Sequence, residues 1–72
     1  MQSEKVGIII RKARLQQKIT QKQLADKMDI SDKAISKWEC GYGNPDISLI
    51  LKLSNILDID VRELLKVYEK HE

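Results

Sequence analysis

The residues best suited to chemistry lie on one side of a short polar segment between positions 31 and 39. At about 100° per residue, a helix over this segment turns Ile35 and Trp38 to one side. Lysine can donate to guanine, aspartate can accept from cytosine, and serine can bond a base or a phosphate. This polar side suits the major groove of DNA, although the solvated side of an ordinary helical hairpin has the same periodicity. Its members are Asp32, Lys33, Ser36 and Lys37.

Helices must position this side, because apolar residues recur at helical spacing and no strand-length alternation of β-branched residues occurs. The one clear loop is Cys40–Pro45, which contains two glycines and a proline. Capping residues divide the chain into five predicted helices. These run from about Ser3 to Gln17, from the Thr20–Gln23 capping box onward, from Ser31 to about Cys40, from Asp46 onward, and from the Asp60–Glu63 capping box onward.

Each predicted helix carries an apolar stripe that predicts a shared core. Trp38 falls on the inward side of its helix, which favours a core residue over a base-stacking one. Ala25 is small where the second and third helices would cross, so the two can form a helix-turn-helix. The remaining predicted core residues are Val6, Ile10, Ala13, Leu24, Met28, Ala34, Ile35, Ile47, Ile50, Leu51, Leu57, Val61, Leu64, Leu65 and Tyr68.

Length and composition restrict the possible classes of protein. The chain has 72 residues, 42% hydrophobic and 33% charged, which predicts one folded domain over residues 1–72. No apolar run approaches the ~18 residues of a membrane span, and no signal peptide opens the chain. The single cysteine, Cys40, has no metal-ligand spacing to His71 and no catalytic base nearby. We therefore expect a cytoplasmic protein that is not an enzyme, does not bind a membrane, and has no disulfide, metal or cofactor.

Charge is unevenly distributed along the chain. Residues 1–18 hold five basic residues and one acidic residue, residues 19–39 hold four of each, and residues 40–72 hold four basic and six acidic residues. A basic part opposed to an acidic part is compatible with a polyanion on one side of the fold, or with a solvated surface.

Two stretches of the sequence resemble the phage repressor and Cro-type helix-turn-helix family, the lambda-repressor-like DNA-binding domains. They are ITQKQLADKM, from Ile19, and ISDKAISKWECGYGNPDISLILKLSNIL, from Ile30. The similarity extends over about residues 4–66. It implies an all-α domain of five helices, with the helix-turn-helix at about residues 20–39 and the helix at 31–39 in the major groove. The implied function is a sequence-specific transcriptional regulator that binds double-stranded DNA.

The resemblance also implies which residues contact DNA. Gln21 aligns with a glutamine that bonds a backbone phosphate and supports the third helix. The loop after the third helix is usually basic in the family but reads CGYGN here, which implies modest affinity and a shallow salt dependence. The implied base contacts are Asp32, Lys33, Ser36 and Lys37, and the further candidate phosphate contacts are Lys22, Ser31, Tyr42 and Asn44.

Two structural features follow from the same resemblance. Arg14 and Glu39 align with a buried ion pair that ties the first helix to the end of the third, and a free phosphate contact by Arg14 is the alternative. Glycine is common in the family at three positions that follow helices, where we expect left-handed residues. A left-handed lysine costs about 1 kcal/mol, and aspartate tolerates this conformation better. These three positions hold Lys18, Asp29 and Asp58.

One recognition helix reads too few base pairs to select a single genomic site. We therefore expect a homodimer on an inverted-repeat operator with half-sites ~34 Å apart. The fifth helix is the expected dimer contact, through Leu64, Leu65 and Tyr68, unless it only closes the core of one chain. Ile8 and Leu49 mark either an interface or isolated exposed side chains. Bound dimers of this family usually repress by covering a promoter, although they can also recruit polymerase, and we expect a bacterial or phage-encoded, nucleoid-associated repressor.

A protein-interaction module is the alternative function. Antitoxins and phage regulators use the same fold to hold a partner protein. The neutral segment at residues 19–39 and the loop without basic residues would suit a chain that has lost DNA binding.

Overall fold

The computed structural model describes the backbone of residues 2–65 and the side chains of residues 6–65. Within that range the chain forms five α-helices and one 3-10 turn, without a strand. The all-α prediction, with a helix-turn-helix at the second and third helices, is confirmed, and the domain limits at residues 1 and 72 stay a prediction. The helices are α1 (Gln2–Gln16), α2 (Gln21–Met28), α3 (Asp32–Glu39), α4 (Ile50–Leu57) and α5 (Val61–Leu65).

Side-chain oxygens determine where the two helices of the helix-turn-helix begin. Thr20 Oγ1 accepts from the Gln23 N–H at 3.0 Å, and Gln23 Oε1 accepts from the Thr20 N–H at 2.8 Å. Ser31 Oγ accepts from the Lys33 N–H at 3.0 Å. The predicted caps at Thr20 and Ser31 are confirmed, and each satisfies backbone donors that the helix itself leaves free.

Left-handed residues end α1, α2 and α4, as predicted. The φ angles of Lys18, Asp29 and Asp58 are 59°, 59° and 57°. In each case the next residue is a half-buried isoleucine whose N–H donates back into the helix, which is the Schellman pattern. The bonds run from Ile19 to the Arg14 carbonyl (3.3 Å), from Ile30 to Ala25 (3.0 Å) and from Ile59 to Ser54 (3.0 Å).

All five helices contribute side chains to one core. α1 packs against α3, α4 and α5, while α2 packs against α3 and α4. Trp38 is only 6% exposed, so the prediction of a core tryptophan is confirmed. None of the described helices has the length and apolar character needed to cross a membrane. The buried apolar side chains are Val6, Ile10, Leu24, Ala25, Met28, Ile35, Trp38, Ile50, Leu53, Leu57 and Leu64.

The start of the fourth helix differs from the prediction. Asp46 Oδ1 accepts from the Ser48 N–H at 3.2 Å, so Asp46 caps the 3-10 turn at residues 47–49 and α4 begins only after it. The predicted burial of Ile47 and Leu51 is wrong, because they are 61% and 67% exposed. The stripe that faces the core passes through Leu53 instead. The reason is that the 3-10 turn before α4 has fewer residues per turn than an α-helix and so shifts the positions that face the core.

Candidate nucleic-acid interface

The outer side of α3 faces solvent. Ile35 is fully buried and Trp38 nearly so, which determines the rotation of the helix about its axis. The four side chains predicted to contact bases share the opposite side, where three are exposed and Ser36 is half-buried. The core therefore holds this polar side in one orientation relative to the rest of the domain. The three exposed members are Asp32, Lys33 and Lys37.

The first residues of this surface also serve the helix itself. Ser31 caps α3 by accepting a hydrogen bond, and its hydroxyl proton can still be donated to a phosphate oxygen. Asp32 lies in the first turn, where a negative charge interacts favourably with the helix dipole. Both residues are exposed, so these local roles leave them accessible to DNA.

A hydrogen-bond network joins the end of α3 to α1 and to the start of α2. Arg14 Nε donates to Glu39 Oε2 at 2.6 Å, and Arg14 Nη2 donates to Glu39 Oε1 at 2.9 Å. Arg14 Nη1 donates to the Ile19 carbonyl at 2.9 Å, and Gln21 Nε2 donates to Glu39 Oε1 at 3.1 Å. The side chains of Arg14 and Glu39 are 10% and 3% exposed. The predicted ion pair is confirmed, and the alternative of a free phosphate contact by Arg14 is wrong.

The Arg14 guanidinium of this ion pair stays positively charged at every physiological pH. The hydrogen bond with Glu39 raises the pKa of the Arg14 guanidinium, and their Coulombic attraction raises it further, while burial acts in the opposite direction. An arginine is protonated in proteins even without such help. We therefore expect no loss of this pairing from deprotonation of Arg14 between about pH 5 and 8, the range in which proteins are usually most stable.

Gln21 combines a structural bond with a free donor. Its half-buried amide uses one N–H for Glu39, and the second N–H can donate to another acceptor. It is the first residue of α2, where backbone N–H groups and the helix dipole favour an anion. The Glu39 carboxylate beside it is neutralised by Arg14. A phosphate oxygen at this helix start would therefore meet donors and no unpaired negative charge.

The other candidate phosphate contacts are exposed and loosely held. Lys22 Nζ lies 4.0 Å from Asp26 Oδ1, but both side chains are largely exposed, so the pair contributes little. Tyr42 is 83% exposed, and its N–H donates to the Lys37 carbonyl at 2.9 Å, which ties the loop to α3. Asn44 is also exposed.

Two contacts that support α3 have no signal in the sequence. A Cβ on Gly7 would overlap the Trp38 carbonyl oxygen, so only glycine lets α1 approach the end of α3 this closely. Lys52 Nζ donates to the Met28 carbonyl at 3.3 Å and so ties α4 to the turn before α3. Both contacts join residues far apart in sequence, and neither glycine nor lysine at such positions is diagnostic.

The predicted dimer contact on the fifth helix receives little support. Leu64 is fully buried in the core and has no surface left for a partner. Its prediction as a dimer contact is therefore not supported. Leu65 is half-buried against the same core, and Tyr68 lies outside the described residues. Ile8 is 61% exposed, whereas Leu49 packs against the core.

Comparison with known proteins agrees with this geometry. The family model described as Helix-turn-helix matches residues 10–64, and the chain belongs to this family, in which Cro and the phage repressors are grouped. The uncharacterized HTH-type transcriptional regulator YqaE of Bacillus subtilis is 40% identical over 57 residues, which cover 79% of this chain and 49% of that protein. The HTH-type transcriptional regulator ImmR of the same organism is 34% identical over 70 residues, covering 93% and 55%. Multiprotein-bridging factor 1 of Candida albicans is 37% identical over 57 residues, covering 79% and 38%.

The chain spans about half the length of the two Bacillus relatives. No solved structure matches it. Among the residues that the structure describes, no group of three or more histidine, cysteine, aspartate or glutamate side chains could hold a metal ion.

Proposed function

We propose that this protein is a sequence-specific regulator of transcription that binds double-stranded DNA with α3 in the major groove. The observation that carries the proposal is the polar, solvent-facing side of α3, on a helix whose other side is anchored by Ile35 and Trp38. Side chains held on a rigid helix reach base edges at reproducible positions, which sequence recognition requires. The transcriptional regulators among the relatives support the same function.

The proposed roles follow from the chemistry of each side chain. Lys33 and Lys37, one helical turn apart, donate to guanine O6 and N7, while Asp32 accepts from cytosine N4. Ser36 bonds a base or a phosphate. Phosphate contacts position the domain without reading sequence. We assign these to Gln21, Lys22, Ser31, Tyr42 and Asn44.

The proposal includes a homodimer that represses by covering a promoter with an inverted-repeat operator. A single helix reads only a few base pairs, and two-fold symmetry doubles the number. The domain measures 38 × 22 × 21 Å, so two copies side by side are compatible with recognition helices ~34 Å apart. We place the protein in the cytoplasm, on the nucleoid, because DNA is the proposed partner.

Selection of binding sites from a random DNA pool, followed by gel shift at low salt, tests the proposal. Replacing Lys33 and Lys37 by alanine should weaken specific binding at least about tenfold, since a good base contact contributes ~1–3 kcal/mol. The matched control replaces Lys12 and Lys27, because it removes the same charge from α1 and from the far end of α2. Equal losses in the two double variants would contradict base reading by α3.

A protein-interaction module is the second candidate. Two observations favour it: a relative is named Multiprotein-bridging factor 1, and the loop at residues 40–44 contains no basic residue. Electrostatic contact with phosphates supplies essentially all non-specific affinity and is strongest at low salt. Absence of binding to any duplex at low salt would therefore replace the DNA-binding proposal with this one.

We propose that the protein has no catalytic activity. An open cleft of about 360 Å³ lies between α1 and the α4–α5 junction. Its described lining includes no histidine, serine or cysteine, and carries instead one lysine, three acidic residues and a glutamine. The lining of this cleft therefore offers no serine or cysteine nucleophile paired with a histidine base.

A further inference from the structure

The outer side of α1 carries two exposed apolar side chains with a basic residue on either side of them. Ile8 and Leu15, two turns apart, are 61% and 52% exposed. At about 100° per residue, the two positions lie within roughly 20° of each other around the helix axis. The exposed residues Arg11 and Lys12 lie roughly 50° to one side and to the other of this pair. We call these four residues the α1 outer surface.

The folded domain does not use this surface for its own packing. The buried α1 residues, which include Val6, Ile10 and Arg14, lie on the side of the helix that faces α3, α4 and α5. Exposed apolar side chains that lie together, unlike scattered ones, mark interaction surfaces. The aliphatic stems of an arginine and a lysine beside such a pair enlarge its apolar area. Within the described part of the chain, the α1 outer surface is therefore an apolar surface without a partner.

The two basic residues of the surface are not paired with acidic residues. Among the side chains that the structure describes, no ion pair includes Arg11 or Lys12. Residues 6–18 hold four basic residues and no acidic one, and only Arg14 among these four has a carboxylate partner. The charges of Arg11 and Lys12 are therefore available to carboxylates of another molecule.

Acidic residues occur across the open cleft between α1 and the α4–α5 junction. Lys12 lies on the α1 rim of this cleft, and the opposite rim carries Asp58, Asp60 and Glu63. Asp60 is paired with Arg62 at 3.0 Å. These acids belong to another part of the fold and lie beyond Lys12 as seen from the apolar pair. A molecule that lies along α1 therefore meets the two bases next to the apolar side chains.

These features argue against three possible occupants. A two-fold contact with a second copy would place Arg11 and Lys12 against the same residues of the other chain, and such like-charge contact is unfavourable. DNA phosphates would pair with the bases but would leave Ile8 and Leu15 without an apolar partner. A helix on a membrane buries a wide apolar side, whereas the core already takes up most of the apolar side chains of α1.

We propose that the α1 outer surface docks an acidic amphipathic helix of a partner protein. Such a helix would carry two apolar side chains seven residues apart, which places them ~10.5 Å apart along its axis and opposite Ile8 and Leu15. Aspartate or glutamate on both flanks would pair with Arg11 and Lys12, as flanking charges do between paired helices. The inference goes beyond DNA binding and does not require it. The surface shares no residue with the outer side of α3, so DNA and the partner can be held together.

The size of the surface determines how tightly the partner binds. Two apolar side chains with two flanking bases bury less than the ~800 Å² that each partner buries in a standard interface. An isolated helix should therefore bind weakly, with a Kd of roughly 10–100 μM.

A synthetic peptide of about 20 residues, long enough to form a helix, is the probe. It carries leucines at the seven-residue spacing with glutamates on both flanks, and fluorescence anisotropy measures its binding to the full chain. Replacing Ile8 and Leu15 together by serine should weaken binding at least about tenfold. Replacing Ile47 and Leu51 by serine is the matched control, because they are also 61% and 67% exposed, and should change the affinity less than about twofold.

A charge exchange tests the proposed pairing of bases with acids. The second peptide has lysines in place of the glutamates and should not bind the unchanged protein. The variant with Arg11→Glu and Lys12→Glu should bind the glutamate peptide at least about tenfold more weakly and should bind the lysine peptide instead. The control variant with Lys22→Glu and Lys27→Glu makes the same charge change on α2 and should keep the original preference. Thermal melts verify that all variants fold.

Several results would overturn the proposal. These are no binding of the glutamate peptide at about 1 mM, an equal loss in the control at Ile47 and Leu51, and no change of preference in the charge-exchange variant. Two further measurements test the other occupants. A gel shift that is lost with Arg11→Glu and Lys12→Glu, while peptide binding is absent, would assign the surface to DNA phosphates. Binding to vesicles of phosphatidylcholine and phosphatidylglycerol, but not to the peptide, would assign it to a membrane.

The same experiments separate this inference from the proposed function. Binding of the glutamate peptide without binding to any duplex would retain the docking surface and reject the DNA-binding proposal. Specific DNA binding without peptide binding would do the reverse.

Discussion

Glu39 is the residue whose replacement tests the physical basis of the interface most directly. Its carboxylate is 3% exposed and accepts three hydrogen bonds, two from Arg14 and one from Gln21. In Glu39→Gln the amide keeps a similar shape but loses the charge and one acceptor oxygen. Arg14, whose side chain is 10% exposed, then remains as a nearly buried guanidinium without a counter-charge.

The expected loss is large for so small a domain. Breaking a buried pair by removing one partner costs about 3–5 kcal/mol, and Arg14 keeps its bond to the Ile19 carbonyl, so we expect about 3 kcal/mol. A domain of this length has a free energy of unfolding of roughly 4–11 kcal/mol. Glu39→Gln should therefore remove a substantial part of the stability and lower the melting temperature by at least about 10 °C.

A double-mutant cycle separates the pair from its surroundings. Urea denaturation of Glu39→Gln, Arg14→Met and the double variant should give single-variant losses whose sum exceeds the loss in the double variant by about 2 kcal/mol. The double variant leaves no unpaired buried charge, which is why it should be less destabilised than the sum. Losses that add within about 0.5 kcal/mol would show that the two side chains are not energetically coupled and would refute the reasoning.

Two further predictions concern backbone positions. Gly7→Ala should lower the free energy of unfolding by about 1–3 kcal/mol, because the added Cβ overlaps the Trp38 carbonyl oxygen, and this cost exceeds the helix-favouring effect of alanine. Chemical denaturation measures the change. The control Gly43→Ala has open space around its Cβ and should be nearly neutral. Lys18→Gly should raise the melting temperature by a few degrees, because it removes the strain of about 1 kcal/mol that a left-handed lysine carries. Lys18→Ala keeps this strain and should not raise the melting temperature. Equal melting temperatures for the glycine and alanine variants at position 18 would indicate a charge effect instead.

Local features of the fold were predictable from the sequence alone. The caps at Thr20 and Ser31 depend on hydrogen bonds to residues two or three positions away, so the residue types predict them. The polar side of α3 follows from helical periodicity in the same way. The burial of Trp38 follows from that periodicity and from its size.

The site was predictable only with the help of the family. Arg14 and Glu39 are 25 residues apart, and no spacing rule joins them, so the resemblance supplied their pairing. The bond from Gln21 to Glu39, 18 residues away, was expected only as general support of the third helix. Helical periodicity alone does not distinguish a side that contacts DNA from a solvated one, because many solvated helices have the same pattern.

The tertiary structure alone decided which side chains stay exposed after the helices pack. Periodicity assigned Ile47 and Leu51 to the core and did not decide whether Leu64 closes the core or meets a partner, whereas packing exposes the first two and buries the third. Gly7 became informative only when α1 met the Trp38 carbonyl. The physical reason is that caps and helix periodicity involve residues within about one turn, whereas burial depends on the angles at which whole helices cross.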